Sequence, residues 1–201
     1  MNSSIFKELI FQSLSNPSAA AARIIGMKLS RDVLWSGFLL TVVLNVLVVT
    51  LLTPPPPPNA LQPDEMQMMV RLFNAPVMLA LMSGGVFVIL IFLLDWVGRI
   101  IGGNGDFGDI LAAITWIQVL TLLSRIVIIA LLYIVPAIAS LALIAIWGLT
   151  LWITLHFLKV AHGFANLGQA VATLLFTTFG LAFGILTFLT LIGSLYKGFA
   201  G

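Results

Sequence analysis

The sequence predicts an all-α integral membrane protein with five transmembrane helices and an amphipathic cytoplasmic N-terminal segment. Three observations predict it. The chain has 201 residues, of which 61% are hydrophobic and only 8% charged, whereas a soluble domain carries about 25% charged residues. It holds apolar runs long enough to cross a bilayer, which takes about 20 residues each. Prolines, glycines and charged residues punctuate those runs. The polar side chains are too few to cover a water-facing surface. The net charge of +2 is small and spread along the chain, which excludes nucleic acid as an expected partner. There are no cysteines, so disulfides are excluded.

The first 32 residues read as a cytoplasmic segment ahead of a membrane domain covering 33–201. SSIFKELIFQSLSNP is followed by SAAAARIIGMKL. Asn16 before Pro17 reads as a helix N-cap and first turn. The second piece is basic and amphipathic, as expected of a helix lying on an anionic inner leaflet; an ordered cytoplasmic stub is the plainer alternative.

The spans follow in order. VLWSGFLLTVVLNVLVVTLL gives the first, 33–52, between Arg31 and Asp32 and the prolines Pro54 to Pro58. It is too long and too far from the start for a signal peptide. The proline run predicts a stiff polyproline II strut, in its plainest role a spacer. MQMMVRLFN then places Met66, Met69, Val70 and Phe73 on one face of a short surface helix. The second span covers 76–97, its apolar run closed by Asp95 and Arg99. GGNGDFGD, 102–109, is a glycine-rich turn, with Asp109 helping to cap the next helix. The stretch from Ile110 to Leu158 is too long for one crossing. Pro136 divides it into spans 110–135 and 137–158, joined as a tight hairpin. The fifth span covers 170–195.

Orientation follows from lysine and arginine in the flanks. With the N-terminus inside, the inner flanks hold Lys7, Arg23, Lys28, Arg31, Arg99 and Lys159, and the outer flanks hold Arg71 and Lys197. The expectation is a cytoplasmic N-terminus and a periplasmic C-terminus.

Little catalytic chemistry is present. No thiol is available, and no pair of carboxylates lies within the spans. His156 and His162 flank Lys159, do not share a helix face, and lack further ligands for a metal. They read as an interfacial anchor and a loop histidine. GGNGDFGD fits neither a calcium loop nor a phosphate loop. No catalytic residue, metal site or cofactor is expected, and the chain is not expected to be an enzyme. Asp95 and Arg99 lie four apart in the acid-first order of a helical ion pair. Gly180 and Gly184 form G-x-x-x-G, a pattern that lets helices approach closely, here within one subunit or in a dimer.

Arg125 is the sharpest feature. It lies 15 residues from Ile110 and 10 from Val135, near the bilayer centre, where a charge is costly. Gln118 and Thr121 precede it on the same face, giving one polar stripe toward the bundle interior or a wet cavity. Its partners would be carbonyls near Pro136, polar side chains such as Asn45, water, or an outside lipid phosphate, small anion or carboxylate.

These residues resemble the Yip family of membrane proteins, named for interaction with Ypt/Rab GTPases, and specifically its bacterial branch. The resemblance rests on SNPSAAAARIIGMK, on GGNGDFGDILAAITWIQVL, and on a W-rich fourth span followed by KVAHGFANLGQAV. His162-Gly163-Phe164 before a small-residue fifth span is the most telling piece. The match runs over nearly the whole chain through the order and spacing of motifs that are individually degenerate. It implies five membrane helices, a cytoplasmic N-terminus and no enzymatic activity. Eukaryotic members bind Rab GTPases through N-terminal regions; this chain has a stub of about 32 residues without their Asp-Leu-Tyr-Gly-Pro type motif, so a Rab-type partner is not expected. The expected function is a membrane-organising or accessory subunit of the bacterial inner membrane. Its expected partners are the lipid bilayer, an anionic lipid, and another membrane protein or a second copy. The alternative is a small transporter of anions or lipid headgroups using Arg125.

Overall fold

The computed structural model describes residues 3–52 and 75–200. The proline run and the helix expected at Met66 to Phe73 lie outside the described residues. Two short helices come first, α1 (Ser3–Ser15) and α2 (Pro17–Gly26). Five long ones follow: α3 (Arg31–Leu52), α4 (Pro76–Ile100), α5 (Phe107–Ile134), α6 (Pro136–His162) and α7 (Leu167–Ala200). All five are long and apolar enough to cross a membrane. There is no strand among the described residues.

Local chemistry explains the breaks. Asn16 Oδ1 accepts a bond from the Ala19 amide at 3.1 Å, and Pro17 opens α2. Pro76 and Pro136 open α4 and α6, where a missing N–H costs nothing. Val135 alone separates α5 from α6. At the far end of α6, Gly163 takes φ 66. The amides of Gly163 and Phe164 return to Val160 and Lys159, a glycine-capped stop.

α5 packs along α3 and α6, α4 along α3 and α7, and α6 also against α2 and α7. The end of the bundle carrying α1 and α2 is called proximal, the other distal. The buried core is gathered at the proximal end. It joins Leu9, Ala20, Ala21 and Ile24 of the N-terminal helices to Ile110–Ala113 of α5 and to Phe157 and Leu158 of α6. While Phe11 and Leu14 of α1 stay exposed, α2 does not keep its apolar face for a leaflet. α5 and α6 cover it, because the small residues Ala20 and Ala21 let α2 lie close to the bundle. Ser13 Oγ accepts a bond from Trp116 Nε1 at 2.9 Å, and Ser18 Oγ meets His156 Nδ1 at 2.9 Å.

Candidate functional site

Two polar constellations occupy the bundle, one proximal and one nearer the distal end. The proximal one is built on His162. It is the last residue of α6 and is fully buried, which corrects its reading as a loop histidine. Nδ1 lies 3.1 Å from the Leu158 carbonyl, one turn back. Nε2 lies 3.1 Å from the Leu94 carbonyl on α4. The ring stacks on Phe164, with centroids 4.8 Å apart and planes 4° from parallel. A neutral imidazole has one N–H and donates to one of these carbonyls; an imidazolium donates to both.

Space for this ring comes from glycines. A Cβ on Gly98 would overlap His162 Nε2, and one on Gly105 would overlap the Ala161 carbonyl. A Cβ on Gly103 would come within 2.9 Å of His162 Cβ. The Asn104 amide donates to the His162 carbonyl at 2.8 Å. The glycine-rich loop thus turns the chain and also clamps the end of α6. The glycine spacing was the signal that could have exposed His162. Asp109 stands in the first turn of α5, where a negative charge suits the helix N-terminus, though its side chain makes no cap hydrogen bond. It takes the Lys28 ammonium at 3.1 and 3.3 Å, because the docked α2 brings Lys28 over it. Asp95 Oδ1 lies 2.9 Å from Arg99 Nη2.

The second constellation begins at Gln118. Gln118 is buried, and its carbonyl accepts a bond from Asn45 Nδ2 at 3.3 Å. Asn45 Nδ2 also reaches the Thr41 carbonyl at 2.8 Å, so Asn45 serves the α3–α5 seam rather than Arg125. Thr121 is half-buried and Arg125 exposed. The stripe Gln118, Thr121, Arg125 therefore does not run along the bundle interior. All of α5's buried residues except Ile129 lie between Ile110 and Gln118; beyond that level the neighbouring helices leave the face open.

Arg125 lines a groove of about 440 Å³ between α5 and α6, with Leu174 of α7 closing one side. Thr121 and Ser124 flank it on α5, and Trp147, Thr150 and Thr154 face it from α6. Thr121 Oγ1 donates to Ile117, Ser124 Oγ to Thr121 and Thr154 Oγ1 to Thr150, all backbone carbonyls within 2.9 Å. Their donors are used and their lone pairs remain, so the guanidinium is the groove's one charged donor. Among the described residues Arg125 has no hydrogen bond and no ion pair.

The Yip1 domain family model matches residues 11–192. The chain belongs to the Yip1-domain family. It is a multi-pass membrane protein. No curated protein and no solved structure gave a match. The matched stretch of this Yip1 domain starts inside α1, so α2 and its docking lie within it. It also takes in Gly180 and Gly184 on α7. A Cβ on either would meet nothing within 4 Å, so among the described residues these glycines pack against no other helix. Among the described residues, α7 is exposed at every position from Ala182 to Leu191, which leaves that face open.

Proposed function

We propose that this Yip1-domain protein is a non-enzymatic organising or accessory subunit of the bacterial inner membrane. It holds a negatively charged, membrane-embedded partner against Arg125. One observation supports this reading above the others: an arginine in a lateral groove with no counter-charge among the described residues. At 1.5 Å per residue, Arg125 lies roughly 13 Å short of the distal end of α5. Helical side chains lean toward the N-terminus, here away from that end, so the guanidinium does not easily reach distal water. An unpaired arginine at this depth costs about 2.5–3.5 kcal/mol on insertion scales. A second copy of the chain offers no remedy. Its acids are Glu8, Asp32, Asp64, Glu65, Asp95, Asp106 and Asp109, all at the ends of spans or outside them. The partner is then a lipid anion or a carboxylate from another membrane protein. The sideways opening supports retention of that partner rather than its passage across the membrane. The excess of lysine and arginine in the flanks at the proximal end supports a cytoplasmic N-terminus.

The test is native mass spectrometry of the full chain extracted with little added detergent, beside Arg125→Met. The expected result is a stoichiometric lipid or protein on the wild type that the variant loses. Identical bound mass on both would overturn the reading. The chain lacks cysteine, so single cysteines placed at Ser30 and Gly102 report orientation by labelling; both should react from the cytoplasmic side.

A further inference from the structure

A separate cavity of about 340 Å³ opens at the proximal end, where α2 turns into α3 and where α4 gives way to α5. Its charged lining is Lys28, Arg31, Arg99, Asp106 and Asp109, and Ile25, Leu34 and Phe107 form apolar wall. Three spanning helices have their ends at this level: α3 begins at Arg31, α4 ends at Ile100 and α5 begins at Phe107. The cavity therefore sits at headgroup depth.

Accounting for its charges shows what is left over. Lys28 holds Asp109 at 3.1 and 3.3 Å. It does so from φ 44, a left-handed backbone that a residue with a side chain rarely adopts. Arg99 uses Nε and Nη2 on Asp95 Oδ1, at 3.1 and 2.9 Å, which leaves Nη1 free. The Arg31 guanidinium and the Asp106 carboxylate make no ion pair and no hydrogen bond among the described residues. Asp106 stands at the start of α5 without a side-chain cap bond. One unspent cation, part of a second and one unspent carboxylate thus share a cavity with an apolar wall.

We infer that this cavity binds the headgroup of a zwitterionic phospholipid whose phosphodiester is followed by a primary ammonium. Arg31 and Arg99 Nη1 take the phosphate, and Asp106 takes the ammonium. The acyl chains leave along the apolar wall into the bilayer. Basic pockets between membrane helices at this level are suited to phosphate headgroups. The free carboxylate is what sets this one apart, because it repels a purely anionic head and attracts an amine. A charge-assisted contact at each end also fixes the orientation of the head.

The experiment uses lipid-depleted full-length protein. It is equilibrated with phosphatidylcholine vesicles containing equal fractions of phosphatidylethanolamine and phosphatidylglycerol, and retained lipid is counted by native mass spectrometry. One phosphatidylethanolamine per chain is expected on the wild type. Arg31→Gln should lower its retention about tenfold, the loss of roughly one charge-assisted contact, and Arg31→Lys should restore part of it. Asp106→Asn should shift preference to phosphatidylglycerol. Arg125→Met, in the other cavity, should leave the ethanolamine lipid in place, which separates this inference from the preceding one. Equal retention by wild type, Arg31→Gln and Asp106→Asn would overturn it. So would a wild-type preference for phosphatidylglycerol. If Arg31 and Asp106 merely pair with each other, both variants melt lower with lipid retention unchanged, and the inference fails. Inorganic phosphate without lipid is the last arm; a rise in melting temperature equal to that from the lipid would make this a free-phosphate site and overturn the lipid assignment.

Discussion

The two ends of the bundle are built by different rules. At the proximal end, apolar side chains from α1, α2, α5 and α6 bury one another, and several polar groups find partners there, Trp116 on Ser13, His156 on Ser18 and Lys28 on Asp109, although Arg31 and Asp106 stay unpaired among the described residues. Toward the distal end the same kinds of residue are left open. Trp147, Phe179 and Phe183 are 76%, 71% and 72% exposed. In water such exposure would be costly. In lipid it costs little, because acyl chains are as apolar as leucine and only packing distinguishes a protein neighbour from a lipid one. The proximal end is organised like a soluble core, and the distal end leaves its surface to the membrane and to whatever binds there. Arg125, Gly180 and Gly184 belong to the open region.

The sharpest way to break this contrast is to add a methyl group to glycines at each end. Gly105→Ala places a Cβ onto the Ala161 carbonyl. Backbone cannot move aside as a side chain can, so about 3 kcal/mol or more of stability should be lost. Gly180→Ala and Gly184→Ala meet nothing within 4 Å and should be neutral or slightly stabilising, by up to about 1 kcal/mol from helix propensity. Melting temperatures in detergent decide this. Equal effects at both ends would dissolve the distinction.

Next comes the coupling of Gly98 to His162. Gly98→Ala alone should be strongly destabilising, because its Cβ would overlap the buried ring. His162→Ala alone should cost about 2–4 kcal/mol, from the lost carbonyl bonds and the cavity left behind. In the double variant the added methyl enters the emptied space. The sum of the single effects should exceed the double by about 1–3 kcal/mol. Additive losses would mean that the glycine serves something other than the histidine.

A smaller effect is expected at Trp116→Phe. It deletes the indole donor to Ser13 Oγ but keeps a ring against Phe6, whose centroid lies 5.7 Å from that of Trp116. The expected loss is about 1 kcal/mol, typical of one hydrogen bond. It should show as faster protease cleavage within α1, with cleavage elsewhere unchanged. Uniform acceleration along the chain would mean that α1 does not open as a separate unit.

The contrast also explains what could be read from the sequence. The five long helices were legible because apolar length, proline placement and glycine stops are local signals. Docking of α2 was not, since Ala20, Ala21 and Ile24 form an apolar face that suits a leaflet and a helical bundle equally. His162 was hidden for a related reason. A lone histidine just past a span looks like a loop residue until the glycines 57 to 64 residues before it (98, 103 and 105) are placed against its ring. The Gln118–Thr121–Arg125 stripe was found by helical spacing, but spacing carries no information on where neighbouring helices diverge. For that reason the residues were identified and their surroundings were not.

The smallest expected effect concerns pH. Arg23 Nη1 and Nη2 reach Glu8 Oε1 and Oε2 at 2.8 and 3.3 Å and tie α1 to α2. The hydrogen bonds from Arg23, and then its charge, hold the Glu8 carboxyl below its ordinary value of 4.5. A lowered carboxylate contributes all its stability above that ordinary value and loses it as pH falls through the folded value. Wild type should therefore melt slightly above Glu8→Gln at pH 6, and the two should converge as pH falls through the lowered folded value. Both partners are open to solvent, so the gap at pH 6 should be small and should shrink further in 1 M salt, where charges are screened beyond about 3 Å. A gap that persists at low pH would assign the effect to the side chain's packing rather than its charge. Such sensitivity to pH and salt is expected of a pair standing in water at the proximal end, and no corresponding pair of opposite charges exists among the described residues around Arg125.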